Sequence, residues 1–175
     1  EQASIVMMGG ALTVPGNVRP WAEANVHQDP EATDVLFRRA RDVTMVGLDV
    51  TLQTLLTTRE TAVWRKLGTR GGTFLADAAE YYIRAYETTS PHLGGCGLHD
   101  PLAVAVAADP GLITCLDINM KVDVGGETRG RTIADETRLN DPVKTTRVAA
   151  AVDVERFLGE FMGRLTALAE QTPAH

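Results

Sequence analysis

The chain alternates short apolar runs with segments in which apolar residues recur every three or four positions. Ile5 to Met8 is an apolar run that ends in Gly9-Gly10, a pattern typical of a strand buried on both faces. Residues 11–28 are predicted to form a loop. Asp29-Pro30-Glu31 then offers a helix N-cap, a proline at the first helical position and an acid in the first turn. A second buried strand is predicted at Val43 to Leu48.

Helix start signals recur twice further along the chain. Thr57 and Glu60 have the spacing of a capping box, and the helix that they open is expected to stop at Gly68. Asp100-Pro101 repeats the combination of an N-cap and a proline, and it predicts a helix of small residues over Leu102 to Ala108.

Between these two helices, a further helix is expected after the Gly71-Gly72 break. Its apolar residues repeat at helical spacing and form one continuous stripe. The members of the stripe are Phe74, Leu75, Ala78, Ala79, Tyr82, Ile83 and Tyr86. Tyr82 and Tyr86 are therefore predicted to share a face.

The last third of the chain predicts strands followed by a helix. Apolar and polar residues alternate strictly over residues 116–124, which indicates a half-exposed strand. Gly125-Gly126 is expected to turn it into a hairpin with Thr128 to Asp135, and Val148 to Val152 predicts one more strand. Asp153 can cap the C-terminal helix. The predicted buried face of that helix consists of Val154, Phe157, Leu158, Phe161, Met162, Leu165 and Leu168.

The order of these elements predicts an α/β fold with an open mixed, mostly parallel sheet and flanking helices. No repeat, low-complexity tract or linker marks a boundary, so residues 1–175 are expected to form a single unit. The composition is 44% hydrophobic and 23% charged, which is ordinary for a globular domain with a sizeable core. The chain lacks an initiator Met and enters a strand almost at once, so we expect it to be part of something longer.

Charge and cysteine usage exclude several classes of function. The chain has 17 Lys and Arg against 23 Asp and Glu, a net charge of −6, which disfavours binding to nucleic acid or to an anionic membrane. The longest apolar run, Leu102 to Ala108, is too short to span a bilayer. Cys96 and Cys115 form neither a disulfide framework nor a zinc cluster and are expected to be free, mostly buried thiols. A cytoplasmic location is the expectation.

Polar side chains concentrate in two loops, where open α/β sheets place their ligands. The first loop carries Asn17, Glu23 and Asn25, whose amide and carboxylate groups suit several vicinal hydroxyls. The alternative is that these residues are solvated turn formers in a loop rich in Gly and Pro.

The second loop, residues 94–101, brings His99 beside Asp100. A carboxylate at this point can ligate a hard cation and hold a substrate hydroxyl, while an imidazole can donate a proton to a leaving group. The alternative is a simple N-cap next to a surface imidazole.

Several segments in a fixed order resemble the nucleoside hydrolases, the inosine-uridine preferring N-ribohydrolases that cleave the N-glycosidic bond of ribonucleosides. The resemblance spans essentially all 175 residues and corresponds to the C-terminal part of the family's domain. The segments are Met7-Met8-Gly9-Gly10, Gly16-Asn17, Ala22-Glu23-Ala24-Asn25, Asp29-Pro30-Glu31-Ala32, Leu48-Asp49-Val50-Thr51, Leu98-His99-Asp100-Pro101-Leu102-Ala103-Val104 and Thr128-Arg129-Gly130-Arg131-Thr132. The fold that this resemblance implies is the Rossmann-like fold of the family.

The resemblance implies a role for each candidate on the sugar side. Asn17, Glu23 and Asn25 resemble the family's ribose-binding residues, and Met8 lies where a strand end approaches the sugar. Asp100 resembles the aspartate that coordinates Ca²⁺ and also holds a ribose hydroxyl.

On the base side, His99 resembles the imidazole that assists departure of the base in the less selective members; the purine-specific branch has a tryptophan there. Tyr82 and Tyr86 approximately match aromatic residues on a mobile helix that closes over the base. Their alternative role is as core aromatics on a helical stripe.

The resemblance also implies what the chain lacks. The family's calcium site and water-activating base come chiefly from an Asp-x-Asp motif near the N-terminus, and this chain has none. The nearest approach, Asp117 and Asp123, is better explained as the solvated face of a strand.

The sequence therefore predicts the C-terminal half of a nucleoside hydrolase. Its reaction would cleave ribonucleosides to ribose and free base through a Ca²⁺-bound water and an oxocarbenium-like transition state, in purine and pyrimidine salvage. It would need the N-terminal half of the fold as a partner, and homo-oligomers are expected. The alternatives are a noncatalytic ribose- or nucleoside-binding module, and an inactive fragment with no independent role.

Overall fold

The computed structural model describes residues 3–172. The helices are α1 (Ala24–Gln28), α2 (Pro30–Arg39), α3 (Leu48–Thr51), α4 (Thr58–Lys66), α5 (Arg70–Thr89), α6 (His99–Ala108) and α7 (Val154–Glu170). The strands are β1 (Ile5–Met8), β2 (Val43–Val46), β3 (Leu55–Leu56), β4 (Cys96–Gly97), β5 (Ile113–Asp117), β6 (Met120–Val122), β7 (Thr132–Ala134) and β8 (Thr146–Val152). Short 3-10 turns cover Pro91–Leu93, Pro110–Leu112 and Glu136–Arg138.

The chain divides into two compact units, each built from two stretches of sequence. The first unit comprises Glu1–Leu52 and His99–Asp153, and the second comprises Gln53–Leu98 and Val154–His175. The sequence carries no boundary signal at these junctions. The expectation of a single domain stays a prediction, because a compact group of contacts is not by itself a domain that folds alone.

A four-stranded sheet forms the centre of the first unit, in the order β1-β2-β8-β5. β1 pairs with β2 in parallel, β2 pairs with β8 in parallel, and β8 pairs with β5 in antiparallel orientation. All four residues of β2 are buried, as expected for a central strand with both faces covered. The prediction of an α/β fold with an open mixed, mostly parallel sheet is confirmed.

The core of the first unit joins α2, the four-stranded sheet and β6. Its fully buried side chains include Phe37 from α2, Met45 from β2 and Met120 from β6. The predicted N-cap of α2 is confirmed, because the Asp29 carboxylate accepts a hydrogen bond from the Ala32 N–H at 2.9 Å and Pro30 is the first helical residue.

Three predicted boundaries in this unit were wrong. Residues 11–28 are not entirely loop, because α1 begins at Ala24 once Glu23 caps it. The second strand ends at Val46, and Leu48 belongs to the following helical turn. The helix predicted over Leu102 to Ala108 begins three residues earlier, at His99, so Asp100 lies inside its first turn instead of capping it.

The strand predicted over residues 116–124 is interrupted at Asn119, which separates β5 from β6. Asn119 is buried, and its side-chain amide donates to the carbonyls of Arg138 and Val143. Its side-chain oxygen accepts from the Thr145 N–H at 3.0 Å. The predicted alternation is present, but the buried side chain of Asn119 bonds to the loop before β8, and the predicted strand is divided there into β5 and β6. The predicted hairpin is confirmed as the antiparallel β6–β7 pair.

The second unit consists of α4, α5 and α7 with the small β3–β4 ladder. The predicted capping box is present, since Thr57 and Glu60 exchange both hydrogen bonds. The predicted break at Gly71-Gly72 was wrong, because α5 starts at Arg70 and runs through both glycines. A Cβ at Gly72 would lie 2.4 Å from the Trp64 carbonyl oxygen, so glycine is needed there for close packing of α5 on α4.

The apolar faces of the long helices are less completely buried than their spacing predicts. Phe74 and Tyr82 on α5 are 69% and 45% exposed, and Leu168 on α7 is 57% exposed. Phe157 on α7 is fully buried, as predicted. Leu168 was thus wrongly assigned to the buried face.

The two cysteines are free, as predicted, with Cys96 buried and Cys115 partly buried. Burial raises the pKa of the Cys96 thiol to about 11, so this thiol stays protonated at neutral pH. Among residues 3–172, no helix combines the length and the apolar character needed to cross a membrane.

Candidate active site

The candidate site of the first unit lies at the carboxyl ends of β1 and β2. These strands run in parallel with Met8 opposite Val46, so the loops that leave them emerge at the same edge of the sheet. The chain turns away from β1 through Gly10, whose φ of +85° is in the left-handed region that favours glycine. A Cβ at Gly10 would lie 2.9 Å from the Met45 sulfur and 3.1 Å from the Thr132 hydroxyl. The loop is thus packed closely against the sheet.

Glu23 is a buried carboxylate, 2% exposed, at the N-terminus of α1. Its Oε2 accepts hydrogen bonds from the backbone N–H groups of Gly10 at 2.9 Å and Val26 at 3.2 Å. Its Oε1 accepts from the Asn25 N–H at 2.8 Å. A carboxylate has about four acceptor positions, so Oε1 retains capacity for a ligand hydroxyl. Glu23 therefore links the loop after β1 to the start of α1.

The next three N–H groups of the loop after β1, those of residues 11–13, donate to side chains from distant positions in the sequence. The Thr132 hydroxyl accepts from the Ala11 N–H at 3.0 Å and donates to the Ala11 carbonyl at 2.9 Å. The Asp49 carboxylate accepts from the N–H groups of Leu12 at 2.9 Å and Thr13 at 2.7 Å. Together with the bond from Gly10 to Glu23, these contacts fix the conformation of residues 10–13, the first part of the loop.

The two candidate asparagines are exposed, and the side chain of each contacts one other residue. The Asn17 side-chain oxygen accepts from the Ala24 N–H at 2.9 Å, which brings residue 17 against the start of α1. The Asn25 amide lies 3.1 Å from the Met8 sulfur and 3.4 Å from the Met8 carbonyl oxygen. The structure therefore brings Met8, Glu23 and Asn25 together at the end of β1, with Asn17 beside them.

His99 is the first residue of α6, and its ring is partly buried. The Nδ1 atom lies 2.7 Å from the hydroxyl oxygen of Thr51, a residue that is completely buried. Burial lowers the pKa of His99, while the nearby negative charges of Glu23 and Asp100 act in the opposite direction. The imidazole of His99 therefore lies close enough to the carboxylates of Glu23 and Asp100 to interact with their charges.

Asp100 lies in the first turn of α6 and its side chain is exposed. Within residues 3–172, its carboxylate forms no hydrogen bond or ion pair, and no cluster of three or more His, Cys, Asp or Glu side chains is arranged to hold a metal ion. Ca²⁺ takes about six to eight oxygen ligands. Asp100 fits that donor chemistry as one oxygen ligand.

Tyr82 and Tyr86 belong to the second unit. Their rings make an edge-to-face contact with centroids 5.1 Å apart, which confirms that they share a face of α5. Burial and the hydrogen bond with Tyr82 raise the pKa of Tyr86. Tyr82 is exposed and Tyr86 partly buried, so neither is a fully buried core aromatic.

Sequence reasoning gave no role to three side chains of the site, namely Asp49, Thr51 and Thr132. The available signal was positional: Asp49 and Thr51 directly follow the buried strand β2, at the edge of the sheet where ligands bind. In the sequence, the segment Leu48-Asp49-Val50-Thr51 is only a mark of resemblance, because nothing local indicates the distant partners of its polar side chains.

A family model described as inosine-uridine preferring nucleoside hydrolase matches residues 1–159. The chain belongs to the nucleoside hydrolase family. A nucleoside hydrolase of Leishmania major, also described as inosine-uridine preferring, is 35% identical over 154 residues, which cover 87% of this chain and 48% of that protein. A pyrimidine-specific ribonucleoside hydrolase of Shigella boydii is 32% identical and covers 93% of this chain and 52% of that protein.

Solved structures of nucleoside hydrolases agree with the fold. The structure of a purine-preferring ribonucleoside hydrolase from Gardnerella vaginalis superposes with a TM-score of 0.93 and 67% identity, covering 97% of this chain and 54% of that one. A plant nucleoside hydrolase superposes with a TM-score of 0.84 and 32% identity. The chain thus spans about half the length of the nucleoside hydrolases that it matches.

Proposed function

We propose that this chain supplies the ribose-binding loop and the leaving-group acid of a ribonucleoside hydrolase, with the remaining half of the family's fold as its partner. The reaction is hydrolysis of the N-glycosidic bond to ribose and free base. The observation that carries the proposal is the arrangement at the end of β1, where the buried carboxylate of Glu23 lies beside Asn25 and within electrostatic range of the His99 imidazole.

The ribose side of the proposal rests on Glu23, Asn25, Asn17 and Met8. A ribose hydroxyl can donate to Oε1 of Glu23 and accept from the amide of Asn25, which is the reciprocal pattern that vicinal hydroxyls need. Glu23 is anchored by three backbone N–H groups, so it presents a fixed acceptor. Contacts of this kind accelerate the reaction to the extent that they strengthen as charge develops on the ribosyl ring.

The leaving-group side rests on His99. Cleavage of the bond between C1′ and the base nitrogen leaves negative charge on the base, and an imidazole that protonates it lowers the barrier for bases that leave poorly. Tyr82 and Tyr86 are proposed to contact the base, on the strength of the family resemblance and of their accessible rings.

Calcium is the proposed cofactor, with Asp100 as one of its ligands in this chain. A bound Ca²⁺ would supply activation of the water nucleophile and a further contact to ribose hydroxyls. Asp100 would hold the ion and orient a sugar hydroxyl at the same time. A cytoplasmic location, a role in nucleoside salvage and assembly into homo-oligomers are proposed on family resemblance alone.

The proposal is tested with a chimera in which this chain replaces the matching segment of the Gardnerella hydrolase. We expect the chimera to hydrolyse inosine or uridine in the presence of Ca²⁺, and the isolated chain to be inactive. An inactive chimera that is folded and monodisperse would contradict the proposal. Hydrolysis by the isolated chain would show that no partner half is needed.

The alternative function, a noncatalytic ribose- or nucleoside-binding module, is favoured by the way Glu23 is anchored entirely within this chain. Calorimetry of the isolated chain with ribose and inosine, with and without Ca²⁺, separates the two. Binding of ribose or inosine without Ca²⁺ would support the binding module. Absence of binding would argue against the module and leave the hydrolase and the inactive fragment as the two possibilities.

A further inference from the structure

The helical turn α3 carries two buried polar side chains that reach different parts of the candidate site. Asp49 is 9% exposed and Thr51 is fully buried, although both belong to a four-residue turn that follows a buried strand. A buried polar group has a cost unless its hydrogen bonds are made, so each needs a structural or functional reason.

We propose that α3 is a positioning element for this site, in which Thr51 orients the imidazole of His99 and Asp49 holds the loop after β1. The catalytic meaning of this inference rests on the proposed function, whereas the two contacts are properties of the fold.

The Thr51 contact determines which ring nitrogen of His99 takes part in proton transfer. The Nδ1 atom lies 2.7 Å from the Thr51 oxygen, a full-strength hydrogen bond. Thr51 is β-branched and helical, so its side chain is restricted to few rotamers and gives the ring a rigid partner. Because Nδ1 is bonded to Thr51, we assign proton transfer to the departing base to Nε2.

A hydroxyl is suited to this task because it both donates and accepts. It can therefore hold Nδ1 whether or not that nitrogen carries a proton. In the transfer itself, the Nε2–H bond breaks, its electron pair stays on Nε2, and the proton forms a bond with the nitrogen of the departing base. The contact between Nδ1 and Thr51 is maintained throughout.

The Asp49 contact acts on the sugar side of the site. Its Oδ2 accepts from the Leu12 N–H at 2.9 Å, and its Oδ1 accepts from the Thr13 N–H at 2.7 Å and the Thr13 hydroxyl at 2.6 Å. The backbone of the same turn adds a hydrogen bond from the Leu48 N–H to the Gly10 carbonyl at 2.9 Å. The same helical turn α3 therefore contacts both the loop that follows Met8 and the imidazole of His99.

The decisive experiment is nitrogen NMR of the histidine rings in the full chain, which needs no catalytic activity. The chain has four histidines, and a His99→Gln variant assigns the His99 resonances. We expect Thr51→Val to shift the His99 Nδ1 resonance, and Thr51→Ser, which keeps the hydroxyl, to restore the wild-type position. The matched control is Thr146→Val, because Thr146 is equally buried in the same unit and its hydroxyl has no partner among residues 3–172. It should leave His99 unchanged.

An unchanged His99 Nδ1 resonance in folded Thr51→Val would overturn the proposal. Should that variant not fold, the wild-type chain still decides the matter: a nuclear Overhauser contact between the Thr51 methyl group and the His99 ring proton next to Nδ1 is expected, and its absence would exclude the contact.

The catalytic consequence is measured in the chimera. Thr51→Val should lower kcat for inosine about tenfold with little change in KM, since it misorients the acid. Asp49→Asn should mainly raise KM, since it weakens the hydrogen bonds that hold the loop after β1. Failure of His99→Ala to reduce turnover would contradict the proposed function while leaving the NMR result intact, so the two failures are distinguishable. Equal kcat in Thr51→Val and Thr146→Val would refute the positioning role of Thr51 alone.

Discussion

The Oε2 atom of Glu23 accepts a hydrogen bond from the backbone N–H of Gly10, thirteen residues earlier in the chain, at 2.9 Å. The same carboxylate accepts the N–H groups of Asn25 and Val26 at the start of α1. One buried side chain therefore caps a helix and fixes the loop that leaves β1. This double role makes Glu23 a structural residue as well as a candidate sugar ligand.

Replacing Glu23 with Gln should test both roles. The amide retains one acceptor oxygen and places an NH₂ donor against a backbone N–H, so we expect a loss of about 2 kcal/mol in the free energy of unfolding. Nucleoside affinity of the chimera should fall as well. Urea unfolding and calorimetry provide the two measurements.

The matched control for this variant is Asp29→Asn, which changes the exposed cap of α2. Asp29→Asn should lower the free energy of unfolding by at most about 1 kcal/mol and leave nucleoside affinity unchanged. Equal effects of the two variants on stability and binding would contradict the role assigned to Glu23.

Asp135 should make the first unit sensitive to acid. Burial opposes ionisation of this carboxylate, but hydrogen bonds from Arg138 and Thr137 outweigh burial and lower its pKa to about 2. The lowered pKa contributes stability that is fully present above the ordinary aspartate value of 3.8 and is lost as pH falls toward 2. We therefore expect Asp135→Asn to lower the free energy of unfolding by about 2 kcal/mol at pH 6 and by clearly less at pH 3.

Urea unfolding at the two pH values measures this difference. Asp141→Asn serves as the control, because Asp141 is exposed. A destabilisation by Asp135→Asn that is the same at pH 6 and pH 3 would show that ionisation of Asp135 does not stabilise the fold.

The second unit allows a test of helix packing with two glycines. At Gly72 an added Cβ would lie 2.4 Å from the Trp64 carbonyl oxygen, so Gly72→Ala should destabilise by about 2 kcal/mol or more. At Gly163 on α7 an added Cβ meets nothing within 4 Å, and Gly163→Ala should stabilise by about 0.5–1 kcal/mol. Thermal unfolding should show shifts of opposite sign. Shifts of the same sign would mean that α5 does not pack on α4 as closely as described.

Calcium binding tests the proposed role of Asp100 as a metal ligand. In the chimera, Asp100→Asn should weaken Ca²⁺ binding at least tenfold, a loss of about 1.4 kcal/mol, because it removes a charged oxygen ligand. Asp117→Asn, an exposed acid on β5, should have no effect. Calorimetric titration with Ca²⁺ distinguishes the two variants, and unchanged affinity in Asp100→Asn would remove this residue from the metal site.

Local signals predicted the elements whose stabilising contacts are local. The capping box of Thr57 and Glu60 and the Asp29-Pro30 start of α2 are each contained within four residues, so the sequence shows both partners. The break predicted at Gly71-Gly72 was wrong because the preference of glycine against helix is overridden by close packing on Trp64.

The supporting side chains of the site were not predictable in this way. Thr132 reaches Ala11 across 121 positions, Asp49 reaches Leu12 across 37, and His99 reaches Thr51 across 48. Such partners are brought together by the pairing and packing of the sheet, and no local spacing indicates them. Family resemblance indicated the residues expected to touch the substrate, whereas the residues that hold them in place required the structure.

The most direct test of the central claim is the turnover of the chimera and of its His99→Ala variant on two substrates. We expect the variant to lose at least a hundredfold in kcat on inosine, whose base leaves poorly, and to keep most of its activity on 4-nitrophenyl riboside, whose leaving group needs no acid. Equal losses on both substrates, or no loss on inosine, would contradict the assignment of His99 as the leaving-group acid.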